Sequence, residues 1–162
     1  MLFRSGGDIG RLAVAGTVND LAMMGATEVL ALTFGVILEE GFPRSDLERV
    51  QRSVRECCVE SRAEVVSGDT KVMGRGELDG IVLHTTGVAF TDRFVPDSGL
   101  RPGDRLLVTG TLGDHGLAVM AARGGIELEA ELRSDVAPLN DLVRTALRAG
   151  GTAVHEIGRA HV

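Results

Sequence analysis

From Ile9 to Met24 the sequence is apolar nearly all round a helical wheel, and a helix without a polar face has to be enclosed by other elements. Gly16 allows another backbone to come close, and Gly25 is placed to end the helix. Asn19 and Asp20 are the exceptions. A carboxylate on an enclosed helix must be paired, hydrogen-bonded or bound to metal, because a bare buried charge is strongly destabilising. The plainer alternative is that Asp20 caps a neighbouring segment.

The segments that enclose this helix alternate between strand and helix patterns. Glu28 to Leu38 is rich in aliphatic and β-branched residues and reads as a strand covered on both faces or lying at an interface. Ser45-Asp46-Leu47-Glu48 has the form of a capping box, and Leu47, Val50, Val54 and Cys57 then fall on one helical face. Ala63 to Ser67 is expected to be a short strand delivering a loop from Gly68 to Lys71. Gly80 to Phe90 reads as another strand, and Val95 to Gly103, with two prolines and two glycines, as a linker. Beyond it, Asp104 to Gly110 reads as a strand, and Leu117 to Arg123 and Pro138 to Ala149 as helices. The pattern specifies an α/β fold with α+β sandwich character.

The chemistry concentrates at Ser67-Gly68-Asp69-Thr70-Lys71. Lys71 is the single lysine among seventeen Lys and Arg residues, which suggests a position that needs a compact ammonium rather than a guanidinium. A glycine, a carboxylate able to hold Mg²⁺, a hydroxyl and an amine within four residues are groups that bind and neutralise a nucleotide phosphate. A surface lysine in a turn is the competing reading. The segment is not a P-loop, because no glycine precedes the lysine. His115 is a candidate general acid or base or, equally in keeping with its place near a helix start, a structural residue. The four histidines show no ligand spacing.

Composition narrows the function classes. The net charge of −6, with no Trp or Tyr and five Phe, argues against nucleic acid as the main partner. An apolar content of 44% is enough for a core, and no apolar stretch reaches membrane-spanning length uninterrupted. The N-terminus lacks the regions of a signal peptide, and Cys57-Cys58 has no further cysteine to bridge, so a reducing cytoplasmic location is expected and the thiols read as structural.

These segments resemble the hydrogenase maturation factor HypE family, ATP-dependent members of the superfamily of aminoimidazole ribonucleotide synthetase, selenophosphate synthetase and thiamine monophosphate kinase. The resemblance runs from Phe3 to His155. It is carried by Gly6-Gly7-Asp8-Ile9-Gly10, Gly16-Thr17-Val18-Asn19-Asp20-Leu21-Ala22, Ile37-Leu38-Glu39-Glu40-Gly41, Ser67-Gly68-Asp69-Thr70-Lys71-Val72, Gly110-Thr111-Leu112-Gly113-Asp114-His115-Gly116 and Ser134-Asp135-Val136-Ala137-Pro138-Leu139. The lysine after Gly-Asp-Thr and the Ile-Leu-Glu-Glu-Gly segment resemble this family in particular.

The resemblance implies a PurM-like N-terminal ATP-binding domain that forms homodimers, followed by a second domain. The implied reaction is ATP-dependent dehydration of a carbamoyl group, carried on a C-terminal cysteine thiol, to a thiocyanate that supplies cyanide to [NiFe]-hydrogenase. It further implies that Asp20 and Asp69 hold Mg²⁺ and ATP phosphates and that Lys71 neutralises charge on the transferred phosphoryl group. Asn19 and Thr70 would support them. Gly6, Gly7, Asp8 and Gly68 would line the nucleotide. Implied partners are the carbamoyltransferase HypF and the HypC–HypD complex.

Departures from the family pattern bear on activity. A nucleotide- and metal-binding aspartate expected ahead of Met1 and the C-terminal acceptor cysteine are both missing from the sequence. Residues 1–97 are therefore expected to be a partial ATP-binding and dimerisation domain, and 98–155 the start of a truncated C-terminal one. Ile157-Gly158-Arg159-Ala160-His161-Val162 matches translation of the sequencing adapter AGATCGGAAGAGCACACGTC in the frame ATC-GGA-AGA-GCA-CAC-GTC, so 156–162 is expected to be read-through. The fragment itself is then expected to be inactive. Two other functions stand beside this one: another ATP-using enzyme of the superfamily, such as a selenophosphate synthetase, or a non-catalytic nucleotide-binding or dimerisation module.

Overall fold

The computed structural model describes residues 8–124 and 133–155. In chain order they form α1 (Ile9–Met23), β1 (Val29–Glu39), α2 (Arg44–Ser61), β2 (Val65–Met73), β3 (Ile81–Ala89), a short 3-10 turn (Asp97–Gly99), α3 (Asp114–Gly124) and α4 (Asn140–Arg148). The read-through tail expected at 156–162 lies outside the described residues.

The three strands form one sheet in the order β2-β1-β3. β1 is central, parallel to β2 and antiparallel to β3. A parallel pair needs a crossover, and α2 supplies it between β1 and β2. Helix α1 packs on β3 and α2. The contact with β3 is close: the Thr85 hydroxyl donates to the Ala13 carbonyl at 3.0 Å, and a Cβ added to Gly87 would stand 2.7 Å from Leu21 Cδ1. A side chain at Gly87 would make Leu21 and Thr17 shift.

The main core joins Val14, Ala15 and Val18 of α1 to Leu32 of β1 and Cys57 of α2. Full burial of Val18 or Leu32 contributes about 1.5–3 kcal/mol each. A second cluster places Val143 and Leu147 of α4 against Ala22 and Val95. The α1 helix is thus enclosed as its pattern requires, and it ends where expected. Gly25 follows it at φ +92°, and any Cβ there would lie 2.2 Å from the Arg93 carbonyl oxygen.

Several expectations are corrected. Gly68 to Lys71 is not a loop, because β1 runs for eleven residues and its register carries the pairing through Phe34–Gly68, Gly35–Asp69, Val36–Thr70 and Ile37–Lys71 to Glu39–Met73. Ser45 does not cap α2. Pro43 holds the extended N-cap conformation and its carbonyl accepts from Leu47 N–H at 3.1 Å, which places Ser45 inside the first turn. Asp104 to Gly110 forms no strand, since no strand lies beside it among the described residues, and Leu107 is 91% exposed. Of the two readings of β1, coverage on both faces does not hold among the described residues, and a strand lying at an interface remains. Thr33, on the face away from the helices, is exposed, like Asp69, His84 and Thr86 beside it.

Candidate functional site

Strand alternation sends Phe34, Gly68 and Thr85 toward the helices, and Gly35, Asp69, Lys71 and His84 to the opposite, open face. The Asp-Thr-Lys sequence is therefore split across the sheet. Asp69 and Lys71 project from the open face, two residues apart, while Thr70 lies on the side of α2. The Asp69 carboxylate accepts the Thr70 N–H at 2.8 Å, and both Asp69 and Lys71 are exposed. Gly68 serves the strand pairing, because a Cβ there would sit 2.5 Å from the Phe34 carbonyl oxygen.

The strand carrying Lys71 is fixed at its far end by Glu39. The Glu39 carboxylate accepts N–H donors from Gly76 at 2.6 Å and Gly80 at 3.2 Å, and its own N–H donates to the Gly80 carbonyl at 2.8 Å. Glu40 N–H reaches the Met73 carbonyl at 2.8 Å. The Leu-Glu-Glu-Gly sequence thus clamps the turn between β2 and β3. No motif announces this role for Glu39; a glutamate at the last position of an apolar strand is the available signal.

The remaining candidates lie on α1. Gly6 and Gly7 fall outside the described residues. Asp8 is the N-cap of α1. Its carboxylate accepts the Arg11 N–H at 2.8 Å and the Ser53 hydroxyl at 2.6 Å, which fixes the helix start to α2. Asn19 is buried, with its amide donating to the Ala137 carbonyl at 3.0 Å and accepting from Leu139 N–H at 2.7 Å. It stitches the segment before α4 onto α1. Asp20, expected on an enclosed face, is exposed, because the seven buried positions of α1 leave its side of the helix to solvent.

Asp20 and Asp69 do not meet within one chain, since the sheet stands between the face that α1 covers and the face from which Asp69 projects. No cluster of three or more His, Cys, Asp or Glu able to hold a metal occurs among the described residues. Asp69 alone fits Mg²⁺ in the manner of sites where one or two carboxylates act with substrate phosphates.

A cavity of about 230 Å³ opens between α1, at Gly16 and Asn19, and the segments 108–112 and 135–139. Beside it the Gly-Asp-His sequence makes a local network. His115 Nδ1 is 2.9 Å from the Ser134 hydroxyl, and His115 N–H donates to the Asp135 carboxylate at 3.1 Å. His115 therefore has the partners of a structural residue. Burial pushes the Cys57 thiol up to about 11 against an opposing pull from Arg11, and burial also raises Cys58. Neither cysteine is a ready nucleophile. Among the described residues no helix is long and apolar enough to cross a membrane.

Comparison with known proteins adds an independent line. The AIR synthase related protein N-terminal domain matches residues 1–91, and the C-terminal domain of the same family matches 101–160. The chain is 46% identical over 148 residues to carbamoyl dehydratase HypE of Cupriavidus necator, covering 90% of this chain and 42% of that protein. It is 44% identical over 151 residues to a putative hydrogenase expression/formation protein of Methanocaldococcus jannaschii, covering 92% and 44%. The structure is similar to HypE in a HypE–HypF complex, with a TM-score of 0.86, 46% identity, and coverage of 92% of this chain and 49% of that one. It is similar also to HypE in complex with ATP, with a TM-score of 0.83, 42% identity, and coverage of 90% and 44%. The chain spans less than half the length of the curated relatives it matches.

Proposed function

The chain belongs to the AIR synthase related proteins, and we propose that it is part of an ATP-dependent carbamoyl dehydratase of the HypE type. Relatives at 46% identity bear the name carbamoyl dehydratase HypE, and a similar HypE was solved with ATP. The observation that carries the reading to the site is the projection of Asp69 and Lys71 from one open sheet face on a strand clamped by Glu39.

The overall conversion takes a cysteine S-carboxamide and ATP to a thiocyanate, ADP and phosphate. The carboxamide oxygen is a poor leaving group. Transfer of the γ-phosphoryl group to it makes a good one, and breaking that C–O bond with loss of both nitrogen protons leaves the nitrile. Lys71 neutralises charge on the phosphoryl group in transfer; Asp69 would hold Mg²⁺, which would supply charge neutralisation at the phosphate oxygens. Thr70 and Gly68 hold the strand from which these groups project. Asn19 supports the site by docking the segment at Ala137 and Leu139. Asp8 serves the site by capping α1 and fastening it to Ser53, and a nucleotide approach over Gly6 and Gly7 is what the family resemblance implies.

Asp20 joins Asp69 on one nucleotide only if a second copy supplies one of the two. The open face also carries Val82 and Val88, both exposed, which suits a homodimer packed sheet to sheet. HypF is a partner by analogy with the HypE–HypF complex, and HypC–HypD follows from the same maturation chemistry. By the family resemblance the acceptor of the carbamoyl group is a C-terminal cysteine, and Cys57 and Cys58, on a packed helix, do not stand in for it. In this reading 1–97 and 98–155 are parts of the two domains of a longer cytoplasmic enzyme.

The test uses the protein expressed from its whole gene, carbamoylated at its terminal cysteine and incubated with Mg·ATP. Mass spectrometry of the C-terminal peptide should show loss of one water in the wild type and none in Lys71→Ala. A wild type that retains the carbamoyl mass would overturn the assignment.

A further inference from the structure

Helix α4 falls within the range matched by the C-terminal domain, 101–160, yet it is seated on elements of the N-terminal match. Val143 and Leu147 pack against Ala22 of α1 and Val95. Asn140, 3% exposed, donates to the Ser61 carbonyl at 2.9 Å and to the Thr27 carbonyl at 3.3 Å. The residues leading into α4 continue the contact along α1, where Arg11 Nε donates to the Val136 carbonyl at 3.0 Å and the Asn19 amide holds Ala137 and Leu139. At their far end Ser134 and Asp135 hold His115 at the start of α3. Residues 134–148 are thus a strap, tied to α1 along its length and to α3 at one end.

Most of its fastenings are of a kind that water can replace. Asp141 pairs with Arg62, at the C-cap of α2, and with Arg144, which also lies 3.6 Å from Glu28. Asp141 and Arg62 are each more than half exposed, and ion pairs in that setting are weak. Arg93 closes the other end, donating to the Leu147 carbonyl at 3.1 Å and the Gly151 carbonyl at 2.8 Å. Val143 and Leu147 are the buried aliphatic residues of α4, whereas the main core closes over Val14, Val18 and Leu32 without any residue of α4. Nine residues are too few to hold a helix unsupported, so α4 away from this surface unfolds.

The strap also walls the cavity on α1, through Val136, Ala137 and Leu139. We propose that 134–148 releases from α1 and α2 as one unit, by local unfolding, and that this release opens the cavity between α1 and 108–112 while the main core stays folded. Release leaves the Asn19 amide, which lines the cavity, without its two strap partners.

Hydrogen exchange of individual amides in the protein expressed from its whole gene tests the release, for wild type, Arg62→Gln and Leu32→Val. Arg62→Gln removes an anchor that lies outside the strap, and Leu32→Val weakens the core that the released state retains. The expected result is one shared rate for the Leu139 N–H, the Val143 to Leu147 amides and the Asn19 side-chain amide, faster than that of the α1 backbone amides. That rate should rise about fivefold in Arg62→Gln and stay at the wild-type value in Leu32→Val, where the α1 amides alone exchange faster. A strap rate equal to that of α1, or one that rises with α1 in Leu32→Val, makes strap and core a single cooperative unit and overturns the proposal. Protection that persists at Leu139 or Asn19 while α4 exchanges is fraying of a short helix and overturns it as well, as does an unchanged strap rate in Arg62→Gln.

Discussion

Replacing Asn19 by alanine should destabilise the protein far more than replacing its exposed neighbour Asp20 by asparagine. Asn19 is 4% exposed, and its amide makes one hydrogen bond to the Ala137 carbonyl and one to the Leu139 N–H. Two net hydrogen bonds contribute about 2 kcal/mol together, and stranding the Leu139 N–H away from water adds up to about 2 more. The expected loss is therefore about 2–4 kcal/mol, which lowers Tm by roughly 5–15 °C in a chain of this size. Asn19→Asp should also destabilise, because its second oxygen would face the Ala137 carbonyl. Asp20→Asn should stay within about 0.5 kcal/mol of wild type. Thermal and urea unfolding of the three variants checks the argument. An Asn19→Ala protein as stable as Asp20→Asn would refute the stitch between α1 and the segment before α4.

Gly68→Ala should cost about 1–3 kcal/mol, because the new methyl group would lie 2.5 Å from a main-chain oxygen of β1, and urea unfolding against Gly35→Ala as the permissive control measures it. Alkylation of native protein at pH 8 should leave Cys57 unmodified, as burial holds its thiol near 11, whereas denatured protein should react at both cysteines. The same shift has a stability consequence. The unfolded thiol ionises from about pH 9 while the folded one retains its proton to about 11, so stability should fall with rising pH across that window, and Cys57→Ser should flatten the fall in pH-resolved urea titrations.

Apolar content made α1 and β1 legible, helical periodicity the core face of α2, and a loosely alternating run the strand Ile81–Ala89. The Gly68 to Lys71 segment was misplaced for a physical reason. Glycine and aspartate favour turns over strands, and tertiary pairing with β1 overrode that preference. Asp104 to Gly110 failed in the opposite sense: its β-prone residues have no neighbouring strand among the described residues. At the site, residue chemistry picked out Asp69 and Lys71 but not their direction, which register alone decides. The roles of Asp8 and Asn19 as structural fasteners depend on Ser53 and Ala137, partners 45 and 118 positions away that no motif announces.

The most direct test of the site is protection of Lys71, the one lysine in this sequence, from an amine-modifying reagent, followed on its own peptide by mass spectrometry. Saturating Mg·ATP should slow modification of Lys71 in the protein expressed from its whole gene, while Mg²⁺ alone should not. Equal modification with and without nucleotide would show that Lys71 does not face the phosphates, and the account of the site would be contradicted at its centre.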